Sequence, residues 1–202
     1  MLPPVYLLAG AVSWPVLKLF RLNARGLENL PETGFVLASN HISNFDPWPL
    51  GMPLFPRRQL RFMAKSELYW WPLRYLLDAG GAFPVRRGER DREAIETAIS
   101  LVRAGEIVVM FPEGTRRKKG LVKKYQPRPH TGAARIALGG GVPLVPAAVG
   151  GTDRLSRLGP LRAAFGPPVP VDDLAAQPMK DAAQIATERL MERIGELEES
   201  LR

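Results

Sequence analysis

Five short apolar runs, each bounded by turn-forming residues and separated by helix-like stretches, constrain the fold of this chain more than any other feature. EIVVMF (106–111) is the clearest, rich in β-branched residues and closed by Pro112, a combination that favours extended backbone and then ends it. GFVLAS (34–39) reads as a buried strand, and LRFMA (60–64), AFPV (82–85) and PLVPAAV (143–149) read as further strands. Pro146 interrupts the last of these, which predicts an edge strand or a bulge, because proline cannot donate to a ladder.

Helices are expected between the runs. Asp91 is placed to cap one that carries Ile95, Ile99 and Val102 at helical spacing and stops at Gly105. Thr131 is placed to cap a second, through Ile136 and Leu138 to the glycines at 139–141. From about Pro178 onward, Leu190, Ile194, Leu197 and Leu201 fall near one helical face, with charges opposite. Alternating strands and helices over 202 residues, with no internal repeat or long linker, predict a single α/β domain with a mixed, largely parallel sheet flanked by helices.

The first residues are of another kind. Met1 to Leu17 hold no charged side chain, and Lys18, Arg21 and Arg25 follow. A bilayer-spanning helix takes about 20 apolar residues, and Gly10 and Pro15 interrupt this shorter stretch. A signal peptide would begin with cations and end in a small-residue cleavage site. We read residues 1–25 as an N-terminal interfacial membrane anchor whose cationic end faces anionic headgroups; a buried core helix is the alternative, and a single span fits less well.

With 28 Lys and Arg against 20 Asp and Glu, the net charge is +8, which calls for a polyanionic partner: nucleic acid, an anionic membrane surface or an acidic carrier protein. No zinc, helix-turn-helix or RNA-binding signature accompanies the charge, so nucleic acid is not the expected partner. The chain has no cysteine and only two histidines, His41 and His130. That excludes disulfides and a cysteine nucleophile and argues against a metal site.

Chemistry is concentrated after the first predicted strand, in Asn40-His41-Ile42-Ser43-Asn44-Phe45-Asp46. An aspartate five residues beyond a histidine, across a turn, can take one ring nitrogen and leave the other to accept a proton. A lone loop histidine also fits a purely structural role. A second block, Phe111-Pro112-Glu113-Gly114-Thr115-Arg116, stands at the C-terminal end of the strongest strand, where ligands of open α/β sheets gather. Glu113 can accept hydrogen bonds from a polyol, Gly114 allows close backbone approach, and Arg116 can grip a phosphate; an ordinary polar turn is the plain alternative. Arg86 and Arg87 end the strand at 82–85 and fit either a phosphate contact or solvated charges. Two cation clusters, Arg57, Arg58, Arg61 and Lys65, and then residues 116–124, suit anionic lipid, an acidic carrier or plain solvation. Tyr69, Trp70 and Trp71 suit core or membrane interface. His130 suits an ordering role before the helix at 131.

In order and spacing these blocks resemble the glycerolipid acyltransferase family, over roughly Gly26 to Gly151. NHxxxxD and FPEGTR, about seventy residues apart, carry the resemblance. It implies that residues 26–202 form an acyltransferase domain with His41 as general base and Asp46 behind it. It also implies that Glu113, Gly114, Thr115, Arg116 and Arg87 bind the acceptor. Arg86 stands where the family usually has an acid, which leaves open which arginine of the pair meets phosphate. The implied acceptor is a lysophosphatidic-acid-like phospholipid, and the implied donor is acyl-coenzyme A or acyl-carrier protein, with no metal or other cofactor. The expected location is the cytoplasmic face of the cell membrane, peripheral or monotopic. Other lysolipids or glycerol 3-phosphate are the rival acceptors, and a basic nucleic-acid-binding module is the rival of another class.

Overall fold

The computed structural model describes residues 4–85, 91–114 and 129–202, apart from the side chain of Asp91. Seven strands form one sheet: β1 (Asn23–Arg25), β2 (Phe35–Ser39), β3 (Leu60–Lys65), β4 (Ala82–Val85), β5 (Ile107–Met110), β6 (Leu144–Gly150) and β7 (Arg162–Phe165). Their order is β1-β7-β6-β2-β5-β3-β4. Every pairing is parallel except β6 with β7. The expected α/β architecture with a mixed, mostly parallel sheet is therefore present, and all five apolar runs are strands.

Burial explains why β2 lacks polar residues until its last position. All five of its residues are buried, and because successive side chains point to opposite faces, Val36 and Ala38 serve one core while Phe35 and Leu37 serve another. The first core is closed by α4 (Asp91–Arg103), α5 (Gly132–Gly140) and α6 (Met179–Glu199), through Val102, Ile136, Leu190 and Ile194. The second is closed partly by α2 (Pro47–Gly51), through Leu50. Fully burying such an aliphatic or aromatic side chain is worth about 1.5–3 kcal/mol.

Helix ends follow the expected glycines: Gly105 after α4 has φ +90° and Gly141 after α5 has φ +63°. Thr131 does sit at the N-cap of α5, but it makes no side-chain cap hydrogen bond. The expected Asp91 cap lies outside the described residues.

Pro146 corrects its expectation. It lies in β6, an interior strand between β2 and β7. Its carbonyl accepts from Gly166 N at 2.9 Å, so its nitrogen also faces β7, just past the last β7 residue. The missing donor thus falls where the chain leaves the sheet, and no bulge is needed.

Helix α1 (Pro4–Leu19) is not a core helix, since only Gly10 and Leu17 are buried along it. Leu17 and Phe20 pack with Met52 and Leu161. Gly10 lies so near the Phe55 ring that a Cβ there would come within 2.2 Å of it. Leu8, Val12 and Leu19 are exposed on α1, and Trp70, Trp71 and Leu76 are exposed around α3 (Leu73–Ala79), which α1 contacts. Among the described residues, no helix is long and apolar enough to cross a membrane.

Candidate active site

Parallel strands leave their C-terminal ends on one edge of the sheet, and the turns that follow β2, β5 and β6 meet there. Asn40, directly after β2, is buried and locks two of these turns together. Its Nδ2 donates to the Val149 carbonyl at 3.0 Å, and its Oδ1 accepts from Val149 N at 2.8 Å. The side chain thereby continues the β2–β6 ladder one step past the strand and fixes where His41 begins.

Asp46 stands at the start of α2, with Pro47 in the first helical position, where a missing N–H costs nothing. Its side chain does not cap that helix but turns back into the preceding loop. Oδ2 accepts from His41 Nδ1 at 2.7 Å, Ile42 N at 2.7 Å and Ser43 N at 2.9 Å, and Oδ1 accepts from Thr152 Oγ1 at 2.5 Å. The carboxylate is completely buried, a position tolerable only because donors satisfy both oxygens. With Nδ1 held as the donor to Asp46, Nε2 is the ring nitrogen able to take a proton.

The ring is held from its face as well. His41 stacks on Phe111, with centroids 4.1 Å apart and planes 20° from parallel. The histidine retains 18% side-chain exposure while Asp46 retains none, so the pair has a sealed back and an open front. Phe111 opens the second block, and the fold thus brings the His–Asp turn and the Pro112–Gly114 turn side by side.

Glu113 is buried within that second turn. Gly114 has φ +70°, and a Cβ there would lie 2.4 Å from the His130 ring. The close approach expected of this glycine is therefore made, at least in part, by His130, whose backbone N–H also donates to the Pro112 carbonyl at 2.8 Å. Arg86, Arg87, Thr115 and Arg116, and the cation cluster at 116–124, lie outside the described residues. In the other cluster, Arg58 donates to the carbonyls of Pro31 and Thr33, both at 2.6 Å, and lies over the Phe35 ring. Arg61 pairs with Glu106 at 3.2 Å. Both arginines therefore brace the fold. Among the described residues, no group of three or more His, Asp or Glu side chains could hold a metal ion.

Thr152 was not singled out from sequence. The signal for it is Gly150-Gly151-Thr152 at the end of a predicted strand, a turn that places a hydroxyl beside whatever follows the neighbouring strand. Gly151 has φ +90°, and that left-handed turn brings Thr152 back over the site.

The strand-end turns set a His–Asp pair, suited to acid–base chemistry, beside the FPEG turn, and comparison with known proteins supplies the class of enzyme. The sequence model of the Acyltransferase family matches residues 21–150, and the chain belongs to that family. Among its relatives, the 1-acyl-sn-glycerol-3-phosphate acyltransferase of Bacillus subtilis is 38% identical over 180 residues, which is 86% of each chain. A chloroplastic 1-acyl-sn-glycerol-3-phosphate acyltransferase of Brassica napus is 31% identical over 145 residues, 69% of this chain and 40% of its own. The crystal structure of the 1-acyl-sn-glycerophosphate acyltransferase from Thermotoga maritima matches with a TM-score of 0.65 at 25% identity, over 93% of this chain and 76% of that one.

Proposed function

We propose that this acyltransferase moves a fatty acyl group from a thioester onto the free hydroxyl of 1-acyl-glycerol-3-phosphate, giving phosphatidic acid for phospholipid biosynthesis. The observation that carries the reading is the His41–Asp46 pair, stacked on Phe111 at the mouth of the Pro112–Gly114 turn. The names of the relatives supply the acceptor.

The acceptor hydroxyl is a weak nucleophile. His41 Nε2 takes its proton as the oxygen attacks the thioester carbonyl, and such assistance is worth about 10²–10⁴-fold. The buried Asp46 stabilises the imidazolium that forms. The tetrahedral intermediate then collapses, the C–S bond breaks, and the imidazolium returns its proton to the departing thiolate. One ester forms, one thioester is consumed, and no acyl-enzyme is needed. Holding both substrates in attack geometry adds further to the rate.

In this reading Arg116 and one of Arg86 and Arg87 meet the acceptor phosphate, and Glu113, Gly114 and Thr115 shape its headgroup pocket. The donor is acyl-coenzyme A or acyl-carrier protein. Residues 1–25 anchor the domain formed by 26–202 to the anionic, cytoplasmic face of the cell membrane, with no span. The exposed apolar side chains of α1 and α3 form the surface that enters the interface.

An acceptor panel with one labelled acyl donor tests the proposal. Lysophosphatidic acid should be acylated in preference to glycerol 3-phosphate and to lysolipids that lack a phosphomonoester. Acylation of another lysolipid with lysophosphatidic acid ignored would overturn the acceptor, and oligonucleotide binding without any acyl transfer would overturn the enzyme reading.

A further inference from the structure

A cavity of about 630 Å³ opens on the β6 side of the His–Asp turn, walled by Ile42, Gly150, Gly151 and four arginines, Arg154, Arg157, Arg162 and Arg202. It shares Arg162 and Arg202 with a second concavity of about 490 Å³, to which Arg21 and Arg25 also belong. The two adjoin at these residues, the first beside the turn that carries His41 and the second toward the β1–β7 edge of the sheet, and we refer to them together as the arginine groove. Asp153 and Glu198 are the acidic residues in its wall. Two of the six arginines also hold the end of α6: Arg25 donates to the Ser200 carbonyl at 2.5 Å and Arg162 to the Leu201 carbonyl at 2.6 Å. Arg154 lies 3.5 Å from Asp153, a loose pairing, and its side chain stays 57% exposed.

Such a groove suits a slender polyanion. Its apolar wall consists of little more than Ile42, Val149, Pro160 and Leu201, too small a surface to receive a fatty acyl chain. It also lies on the opposite flank of β2 from the Pro112–Gly114 turn, since β2 sits between β5 and β6. Direct transfer requires two substrates to reach one imidazole at once. If the acceptor phosphate is held on the β5 flank, as the proposed function has it, the donor has the β6 flank. Both candidate donors carry the thioester on a phosphopantetheine arm, whose phosphate end is anionic.

Resting on that assignment of flanks, we propose that the arginine groove binds the phosphate-bearing pantetheine arm of the acyl donor, with the thioester leading past Ile42 to His41. Arg154 and Arg157 are the side chains that meet phosphate there.

The test is the double variant Arg154→Gln, Arg157→Gln in the full chain. Its KM for palmitoyl-coenzyme A should rise about ten-fold or more, the effect of losing charge-assisted hydrogen bonds, while KM for lysophosphatidic acid stays unchanged. With palmitoyl-pantetheine, which has no phosphate, variant and parent should show equal kcat/KM. A matching KM rise with palmitoyl-acyl carrier protein would assign the contact to the phosphate both donors share, as proposed; a rise with coenzyme A alone would place the contact on the nucleotide phosphates and overturn the arm contact. A raised acceptor KM, an equal loss with palmitoyl-pantetheine or a rise with the carrier protein alone would overturn the proposal. Coenzyme A binding by calorimetry, also weakened in the variant, requires no turnover, so it decides the groove even if the acceptor has been misassigned.

Discussion

The Thr152 hydroxyl donates to Asp46 Oδ1 across 2.5 Å, joining the His–Asp turn after β2 to the turn after β6, 106 residues away. In the proposed mechanism Thr152 touches no reacting atom. It holds the carboxylate that in turn holds His41, the proposed base, and it satisfies the oxygen that His41 does not.

Thr152→Val keeps the shape and removes that donor, leaving a buried carboxylate oxygen unpaired at a cost of about 1–3 kcal/mol. We expect kcat to fall about ten-fold with little change in either KM and with a lowered Tm. Thr152→Ser, which restores the hydroxyl, should recover most of both. Equal kinetics for Val and Ser would show that the hydroxyl is not what matters.

His41→Ala removes the proposed base but none of the large side chains of the core. Turnover should drop by about 10²–10⁴-fold while lysophosphatidic acid binding and circular dichroism are retained. Steady-state rates near those of the parent would exclude His41 from proton transfer.

Gly114→Ala forces a side chain onto a backbone at φ +70° and into the His130 ring. The left-handed conformation alone costs about 1–2 kcal/mol, and at about 2–4 °C per kcal/mol for a chain of this size the Tm should fall by several degrees. Adding His130→Ala should restore part of the loss by clearing the ring. No recovery in the double variant would place the whole penalty in the backbone.

Membrane attachment is best tested on exposed residues, because deleting residues 1–20 would also strip Leu17 and Phe20 from Met52 and Leu161. Leu8→Ser, Val12→Ser, Trp70→Ser and Trp71→Ser together should release the protein from anionic vesicles in a flotation assay without lowering Tm. Continued flotation would move the attachment surface elsewhere.

What the sequence disclosed, and what it concealed, follow from how many residues each signal spans. The five apolar runs were legible because each is buried enough to demand several consecutive nonpolar residues. β1 is only Asn-Ala-Arg, with its outer residues exposed, and β7 is Arg-Ala-Ala-Phe beside glycine and prolines; neither carries a periodic pattern long enough to declare a strand. Pro146 misled because proline's cost depends on which neighbour its nitrogen faces, and that is a property of the sheet. His41 and Asp46 were legible since both partners lie within one loop. Thr152 was not, because a contact across 106 residues leaves no local spacing to read. The stacking of His41 on Phe111 likewise depends on β2 and β5 being neighbours, which chain order does not reveal.

β2 is the fourth of seven strands and is bonded on both sides. The loop that carries His41 therefore has no private hinge, and Asn40 ties it to β6 as well. Amides in such a strand exchange with solvent only when the whole molecule opens. Loss of activity on heating should accordingly track loss of secondary structure along a single curve, with no temperature range in which a folded but inactive enzyme accumulates.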